Sequence, residues 1–250
     1  MAEHGVAIIT GGGRGIGAET AKLFAQHGYA VSINYKSNEE SANRVAQSIR
    51  ENGGKCIVVQ ANVANEVDVK SLFETTEREL GAVSVLVNNA GILKAQSRLE
   101  DMSAERINEI LINNVTSYFL CAKQAVKRMS TKYGGSGGAI INVSSGASRS
   151  GSPNEYIDYA ASKGAIDTMT KGLSIEVAGE GIRVNCVRPG LIYTDMHADG
   201  GERERIERLK NIIPLKRGGQ PKEVAEAIYW FASDKSSFST GNFIDVTGGL

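Results

Sequence analysis

Apolar and polar positions along this 250-residue chain follow two rhythms in turn. Short, nearly continuous apolar runs, rich in β-branched residues, occur at Val6–Thr10, Val31–Tyr35, Ile57–Gln60, Val83–Asn88, Ala139–Ser144, Arg183–Val187 and Phe243–Val246. Runs of this length without polar alternation predict strands covered on both faces. Between them lie longer amphipathic stretches, which predict helices over about Ile16–His27, Glu39–Asn52, Val67–Leu80, Ala104–Tyr133, Tyr159–Val177 and Pro221–Ser233. Proline at the start of the last of these suits a first helical turn. Strand and helix alternating in this way mean βαβ units. The expected fold is therefore α/β: one doubly wound, Rossmann-type domain over residues 1–250, with a mostly parallel sheet of about seven strands and helices on both faces. Gly134–Gly138 reads as a loop rather than a linker, because the alternation continues across it. The polar segment Tyr193–Lys210 breaks the rhythm, and its mixed charges over Glu202–Arg208 read as a solvated face.

Composition narrows the class. The chain carries 28 basic and 28 acidic residues, so charge balance points to neither nucleic acid nor a membrane surface. No apolar run reaches membrane-spanning length, and the start at Glu3 and His4 leads straight into a strand without a signal-like segment. Cys56, Cys121 and Cys186 sit among apolar residues, far apart and odd in number, which suits buried free thiols. His4, His27 and His197 form no ligand spacing, so no metal is expected. A soluble, cytoplasmic enzyme or binding protein is the expectation.

Two stretches carry candidate chemistry. Thr10-Gly11-Gly12-Gly13-Arg14-Gly15-Ile16-Gly17 follows a strand and opens a helix. A helix N-terminus offers free N–H groups and partial positive charge to a pyrophosphate, and glycine lets the backbone approach it. The second stretch is Tyr159-Ala160-Ala161-Ser162-Lys163. Residues four apart on a helix share a face. An ammonium beside a phenol favours the phenolate. Bringing a phenol from ~10 to about 7 needs roughly 4 kcal/mol, more than one lysine a turn away supplies. A cationic cofactor ring and a hydroxyl partner would have to help.

These stretches and others together resemble the short-chain dehydrogenase/reductase family, in the branch of this length that includes 3-oxoacyl reductases and glucose dehydrogenases. TGGGRGIG is similar to that family's TGxxxGIG, Asn88-Asn89-Ala90-Gly91 to its NNAG, and YAASK to its YxxxK. Asn114 matches its helix asparagine, Ser145 its serine after the fifth strand, and Pro189-Gly190 with Thr194 its PG…T segment. The matches run from Thr10 to Thr194 and, with Gly248-Gly249, cover most of the chain.

The resemblance implies hydride transfer between a nicotinamide nucleotide and a carbonyl or secondary alcohol. Tyr159 would be the general acid/base, Ser145 the hydroxyl that holds the carbonyl oxygen, and Lys163 the cation that lowers the phenol's pKa and binds the ribose. Asn114 would hold a water of the proton relay. Ser144 and Asn113 are the adjacent alternatives to Ser145 and Asn114. The cofactor-binding set would be Gly11, Gly13, Arg14, Gly15, Ile16, Gly17, Tyr35, Lys36, Asn62, Val63, Asn89, Ala90, Gly91, Tyr159, Lys163, Pro189, Gly190, Ile192 and Thr194. Tyr35 stands where NAD-preferring relatives carry an acid that accepts from the ribose. Arg14 and Lys36 would meet a 2′-phosphate, so NADP(H) is expected. Residues 191–215 would form a substrate lid, with His197, Tyr156 and Ile157 near the pocket. Close relatives act on acyl groups borne by an acidic carrier. Here Glu180 puts the wrong sign at one expected docking turn, while Lys132 lies near the other. A free small carbonyl or alcohol substrate stays open beside it. A cofactor-sensing binding protein and a dehydratase or epimerase are the rival readings. The family implies a homo-oligomer, a dimer or homotetramer, built on the long helices over 104–133 and 159–177.

Overall fold

The computed structural model describes residues 5–250; Glu3 and His4 lie outside the described residues. Seven strands form the sheet: β1 (Val6–Ile9), β2 (Ala30–Tyr35), β3 (Cys56–Gln60), β4 (Val83–Asn88), β5 (Gly138–Val143), β6 (Ile182–Pro189) and β7 (Phe243–Val246). Their order is β3-β2-β1-β4-β5-β6-β7, and every neighbouring pair is parallel. This is the doubly wound Rossmann-type arrangement, with the order reversing between β1 and β4.

The helices are α1 (Gly15–Gln26), α2 (Glu39–Glu51), α3 (Glu66–Leu80), α4 (Ala104–Leu111), α5 (Ser117–Met129), α6 (Ala147–Ser150), α7 (Ile157–Val177), α8 (Met196–Asp199), α9 (Arg205–Leu209) and α10 (Pro221–Ala232). The period of two along each strand divides its side chains between two cores. Ala7 and Ile9 of β1 face one core with Phe24 of α1, Val45 of α2 and Phe231 of α10. Val6 and Ile8 face the other with Leu72 and Phe73 of α3, Tyr118 of α5 and Ile166 of α7. Burying one such side chain contributes roughly 1.5–3 kcal/mol. Helix ends obey local chemistry as well: Asn65 caps α3 by accepting from Val67 N and Asp68 N, and Gln220 and Glu223 form a reciprocal capping box on α10.

The long helical region expected over Ala104–Tyr133 is present, continuous from Ala104 to Met129, but not uniform. A π-helical turn at Ile112–Thr116 separates α4 from α5, and a 3-10 turn follows at Thr131–Tyr133. The widened turn puts Asn114 in the interior, where its side chain accepts from Ile92 N (2.8 Å) and donates to Ile92 O (3.0 Å). An inserted residue of this kind leaves no trace in hydrophobic spacing, because α4 and α5 each keep a regular apolar face. The polar segment after β6 is also more ordered than its composition suggests, since it holds the short helices α8 and α9. Among the described residues no helix is long and apolar enough to cross a membrane. Cys56, Cys121 and Cys186 are buried and unpaired.

Candidate active site

The turns after the carboxyl ends of β1, β4, β5 and β6 meet at the point where strand order reverses, the place where open α/β sheets take ligands. After β1 the glycine-rich turn is fastened from two sides. Gly11 N donates to Asn34 Oδ1 (3.2 Å) and Gly12 N to Asn34 O (2.9 Å) at the end of β2. Asn89 Nδ2 donates to Thr10 O (2.9 Å) and Gly11 O (3.2 Å) from the end of β4. Thr10 Oγ1 accepts from Asn89 N (2.9 Å) and Ala90 N (3.0 Å). Asn89 thus spends its amide on holding the turn. The family motifs pointed to Asn89 and to Thr10, but Asn34 carried no signal of its own.

The glycines are required here by space. A Cβ on Gly17 would lie 2.4 Å from Gly11 O and 2.6 Å from Asn89 Nδ2. Gly11 and Gly15 take positive φ of 61° and 53°, which favours glycine. Helix α1 begins with no side-chain cap and no acid in its first turn. Its N–H groups and dipole are therefore directed at whatever lies before Gly15 and Ile16. A compact turn whose only side chain is that of Arg14, ahead of an uncapped helix, fits a pyrophosphate, so the residues present suit a dinucleotide.

Around that turn the other expected positions fall as follows. Thr194 Cγ2 lies against Gly15, 3.2 Å from where a Cβ would stand, which brings the Pro189–Thr194 segment onto the phosphate turn. Gly190 N donates to Val246 O (2.9 Å), and a Cβ there would meet Thr247 Cα at 2.8 Å. Ile192 is buried and bridges to Gly219. Asn62 Oδ1 accepts from Ala64 N (3.2 Å), leaving Val63 buried beside it. At the end of β2, Tyr35 is partly buried and Lys36 exposed, with Lys36 Nζ 3.4 Å from Asn113 Oδ1. Arg14 reaches across to the later segment and pairs with Asp199 of α8 at 2.5 Å.

The chemical end is built by β5, α5 and α7. Tyr159 and Lys163 project from one face of α7, with Lys163 Nζ 5.6 Å from the Tyr159 ring centre. Ser145 and Ser144, adjacent in sequence, have different surroundings. Ser144 is buried and its hydroxyl donates to Lys163 O (3.1 Å). Ser145 is partly exposed, its hydroxyl accepts from Ala147 N (3.1 Å), and it lies near enough to Tyr159 to lower the phenol's pKa. The two asparagines divide likewise: Asn114 is buried beside Ile92 and Ser162, while Asn113 faces Lys36. A Cβ on Gly91 would lie 3.3 Å from Asn114 Oδ1 and 3.7 Å from Lys163 Nζ, so Gly91, Asn114 and Lys163 adjoin.

The electrostatics differ from the sequence expectation. Burial pushes the Tyr159 phenol up to about 12, and the Ser145 side chain only partly offsets it. Lys163 does not lower it. Its ammonium donates to Val143 O (2.8 Å) and Tyr118 Oη (3.3 Å), and burial brings its own pKa down to about 8. Desolvation outweighs the attraction of a single cation that is already hydrogen-bonded elsewhere. Tyr118, whose hydroxyl also donates to Val143 O (2.9 Å), was not foreseen. It reads as an ordinary core aromatic of α5, and nothing local distinguishes it.

Across the mouth lies the segment after β6. Tyr156 Oη donates to Gly200 O (3.1 Å), and Arg205 stacks on the Tyr156 ring at 5.0 Å while pairing with Glu155. His197 Nε2 lies 3.0 Å from Ile192 O, and burial holds its pKa below the usual histidine value.

With this geometry in place, sequence and structure comparisons decide the family. The sequence model described as enoyl-(acyl carrier protein) reductase matches residues 11–250. The chain belongs to the short-chain dehydrogenase/reductase family. It is 58% identical, over 98% of its length and 99% of the relative's, to the uncharacterized oxidoreductase YgfF of Escherichia coli (strain K12). It is 40% identical, over 98% of its length and 93% of the relative's, to an NADPH-dependent aldehyde reductase-like chloroplastic protein of Arabidopsis thaliana. A dehydrogenase/reductase structure from Sinorhizobium meliloti 1021 superposes with a TM-score of 0.91 at 30% identity, covering 100% of this chain and 95% of that one. As a member of this family the chain is an oxidoreductase.

Proposed function

We propose that this oxidoreductase reduces a small carbonyl compound with NADPH, or oxidises the corresponding alcohol, with Tyr159 as proton donor and acceptor. The observation that carries the reading is Tyr159 and Lys163 on one face of α7, with the ammonium 5.6 Å from the ring centre and the Ser145 side chain near enough to lower the phenol's pKa. A bound nicotinamide would supply the hydride. Ser145 holds the carbonyl oxygen, and Tyr159 donates its proton to that oxygen as negative charge develops there. A phenol at about 12 is fully protonated at neutral pH and still far more acidic than the alcohol formed when the developing alkoxide takes its proton, so it suits the reducing direction as it stands. The phenolate left behind regains a proton from solvent. Asn114, which adjoins Gly91 and Lys163, would hold the water of the relay.

Gly11, Gly13, Arg14, Gly15, Ile16 and Gly17 would take the pyrophosphate. Pro189, Gly190, Ile192 and Thr194 would hold the nicotinamide end. Support for NADP(H) comes from the basic Lys36 and the missing acid at Tyr35, and from the name of the Arabidopsis relative. Residues 1–250 would form one dinucleotide-binding and catalytic domain in the cytoplasm, with 191–215 as its lid. Self-association would use the groove between α5 and α7, lined by Phe119, Val126 and Leu173 near the exposed Ile175.

The test is loss of NADPH absorbance on addition of a carbonyl panel: aldehydes, cyclic ketones, a vicinal diketone and an acetoacetyl thioester. Tyr159→Phe should lower turnover by about 10²–10⁴-fold while NADPH still binds. Turnover retained in that variant would remove Tyr159 from the reaction. Lys36→Asp should weaken NADPH far more than NADH, and equal weakening would refute the preference for NADPH.

A further inference from the structure

The start of α7 is held by a buried ion pair that the proposed chemistry does not use. Asp158, immediately before Tyr159, has a side chain only 2% exposed. Its carboxylate meets Arg106 of α4 through two contacts, Nε to Oδ2 at 2.8 Å and Nη2 to Oδ1 at 3.4 Å. The remaining arm of the guanidinium, Nη1, donates to Ala95 O at 2.7 Å. Asp158 Oδ1 also accepts from Tyr159 N at 2.9 Å. A two-armed contact of this kind sets direction as well as distance.

Three segments of the site therefore converge on one guanidinium. The first turn of α7 carries Tyr159, and no side chain at Tyr156 caps it, so Asp158 supplies the carboxylate its free N–H groups favour. The 92–98 segment runs on from Gly91, and Ser97 N donates to Glu155 O at 3.0 Å. Helix α4 leads directly into the π turn of Asn114, and Asn114 Nδ2 reaches Ser162 Oγ at 3.3 Å. Asp158 and Ser162 thus tie α7 to the α4 side, four residues apart. Tyr159 and Lys163 occupy the next face round, likewise four apart.

We propose that Arg106 and Asp158 are positioning residues for Tyr159, setting the rotation and depth of the first turn of α7 against the 92–98 segment. The inference rests on the reading of Tyr159 as proton donor. Proton transfer and hydride delivery need atoms placed to a fraction of an ångström, and displacement by about 1 Å costs on the order of 10²-fold in rate. Loss of the pair releases α7 at the end where the phenol stands. The nucleotide turn is fastened separately, through Asn34 and Asn89.

The experiment compares wild type, Tyr159→Phe, Arg106→Met, Asp158→Asn and the double variant under NADPH saturation with one active carbonyl substrate. Near-UV circular dichroism confirms the folded state of each. Either single change should lower kcat about tenfold to a hundredfold, with the NADPH dissociation constant, read by fluorescence, within about twofold of wild type. The double variant should lose no more than the worse single one, because both changes break one contact. Asp158→Asn keeps shape and carries the test if Arg106→Met does not fold. Wild-type kcat in folded Asp158→Asn would overturn the proposal. So would a double variant whose loss is the product of the two single losses. Retained turnover in Tyr159→Phe would instead overturn the role of Tyr159 itself.

Discussion

Lys163 and Tyr159 on the floor of the crevice differ from Glu202, Arg205 and Arg208 on the segment above it in what sets their charge. On the floor, burial acts first. It draws the Lys163 ammonium down to about 8 and drives the Tyr159 phenol up to about 12, so both neutral forms are favoured. On the segment above, pairing acts first. Hydrogen bonding to Arg208 pulls Glu202 down to about 2, and Arg205 likewise lowers Glu155. Gln96 joins that network from the opposite wall, donating to Glu202 Oε2 at 2.7 Å. In one region desolvation favours the neutral forms, and in the other ion pairing favours the charged ones.

The largest test of that contrast is Arg205→Met. Arg205 is buried with Glu155 and Glu202 as partners, so its removal leaves both carboxylates to the exposed Arg208 alone. Losing hydrogen bonds to charged groups of this kind costs about 1.5–3 kcal/mol in stability. The urea midpoint should fall accordingly and KM should rise more than kcat falls; an unchanged midpoint would show that the network is not holding the segment.

Next is Lys163→Met, which removes the floor's desolvated cation. Its drop from the ordinary 10.5 to about 8 corresponds to at most about 3 kcal/mol. Unfolded, the lysine keeps its proton up to about pH 10.5; folded, it releases it near 8. The Lys163 contribution to stability should therefore climb as pH rises from about 8 to about 10.5. Tyr159 acts in reverse, keeping its proton to about 12 when folded, and so do the buried thiols of Cys121 and Cys186, pushed up to about 12. Denaturation of wild type and Lys163→Met across this range isolates the lysine: wild-type stability minus that of the variant should climb between about 8 and 10.5.

The acid side probes the segment above the crevice. Unfolded glutamate titrates near 4.5 and Glu202 near 2, so its contribution is complete above about 4.5 and lost as pH falls through about 2. Limited proteolysis near Glu202–Arg208 should accelerate in that window, before the crevice floor responds. The smallest effect belongs to Asp199→Asn. The Arg14–Asp199 pair is about half exposed on both sides, so about 0–1 kcal/mol is at stake and salt weakens it. Removing it frees Arg14, and NADPH should bind slightly tighter at low salt.

Much of the nucleotide end was legible beforehand, because strand, glycine turn and helix start are neighbours in the chain. Gly11, Gly15 and Gly17 signal their own backbone needs. The family resemblance favoured Ser145 over Ser144 and Asn114 over Asn113, while their different burial and partners appear only in the fold. The π turn at Ile112–Thr116 was hidden inside a stretch that reads as one helix.

The alternation of apolar runs by itself determined a parallel sheet covered on both faces, and the turn chemistry determined which strand ends would bear the site. Only the tertiary structure decided that Lys163 bonds Val143 and Tyr118, that burial sets the phenol's acidity, and that Arg106 meets Asp158. Local pattern fixes backbone geometry over a few residues. Desolvation and ion pairing depend on groups brought together from distant parts of the chain, and these exist only once the chain has packed.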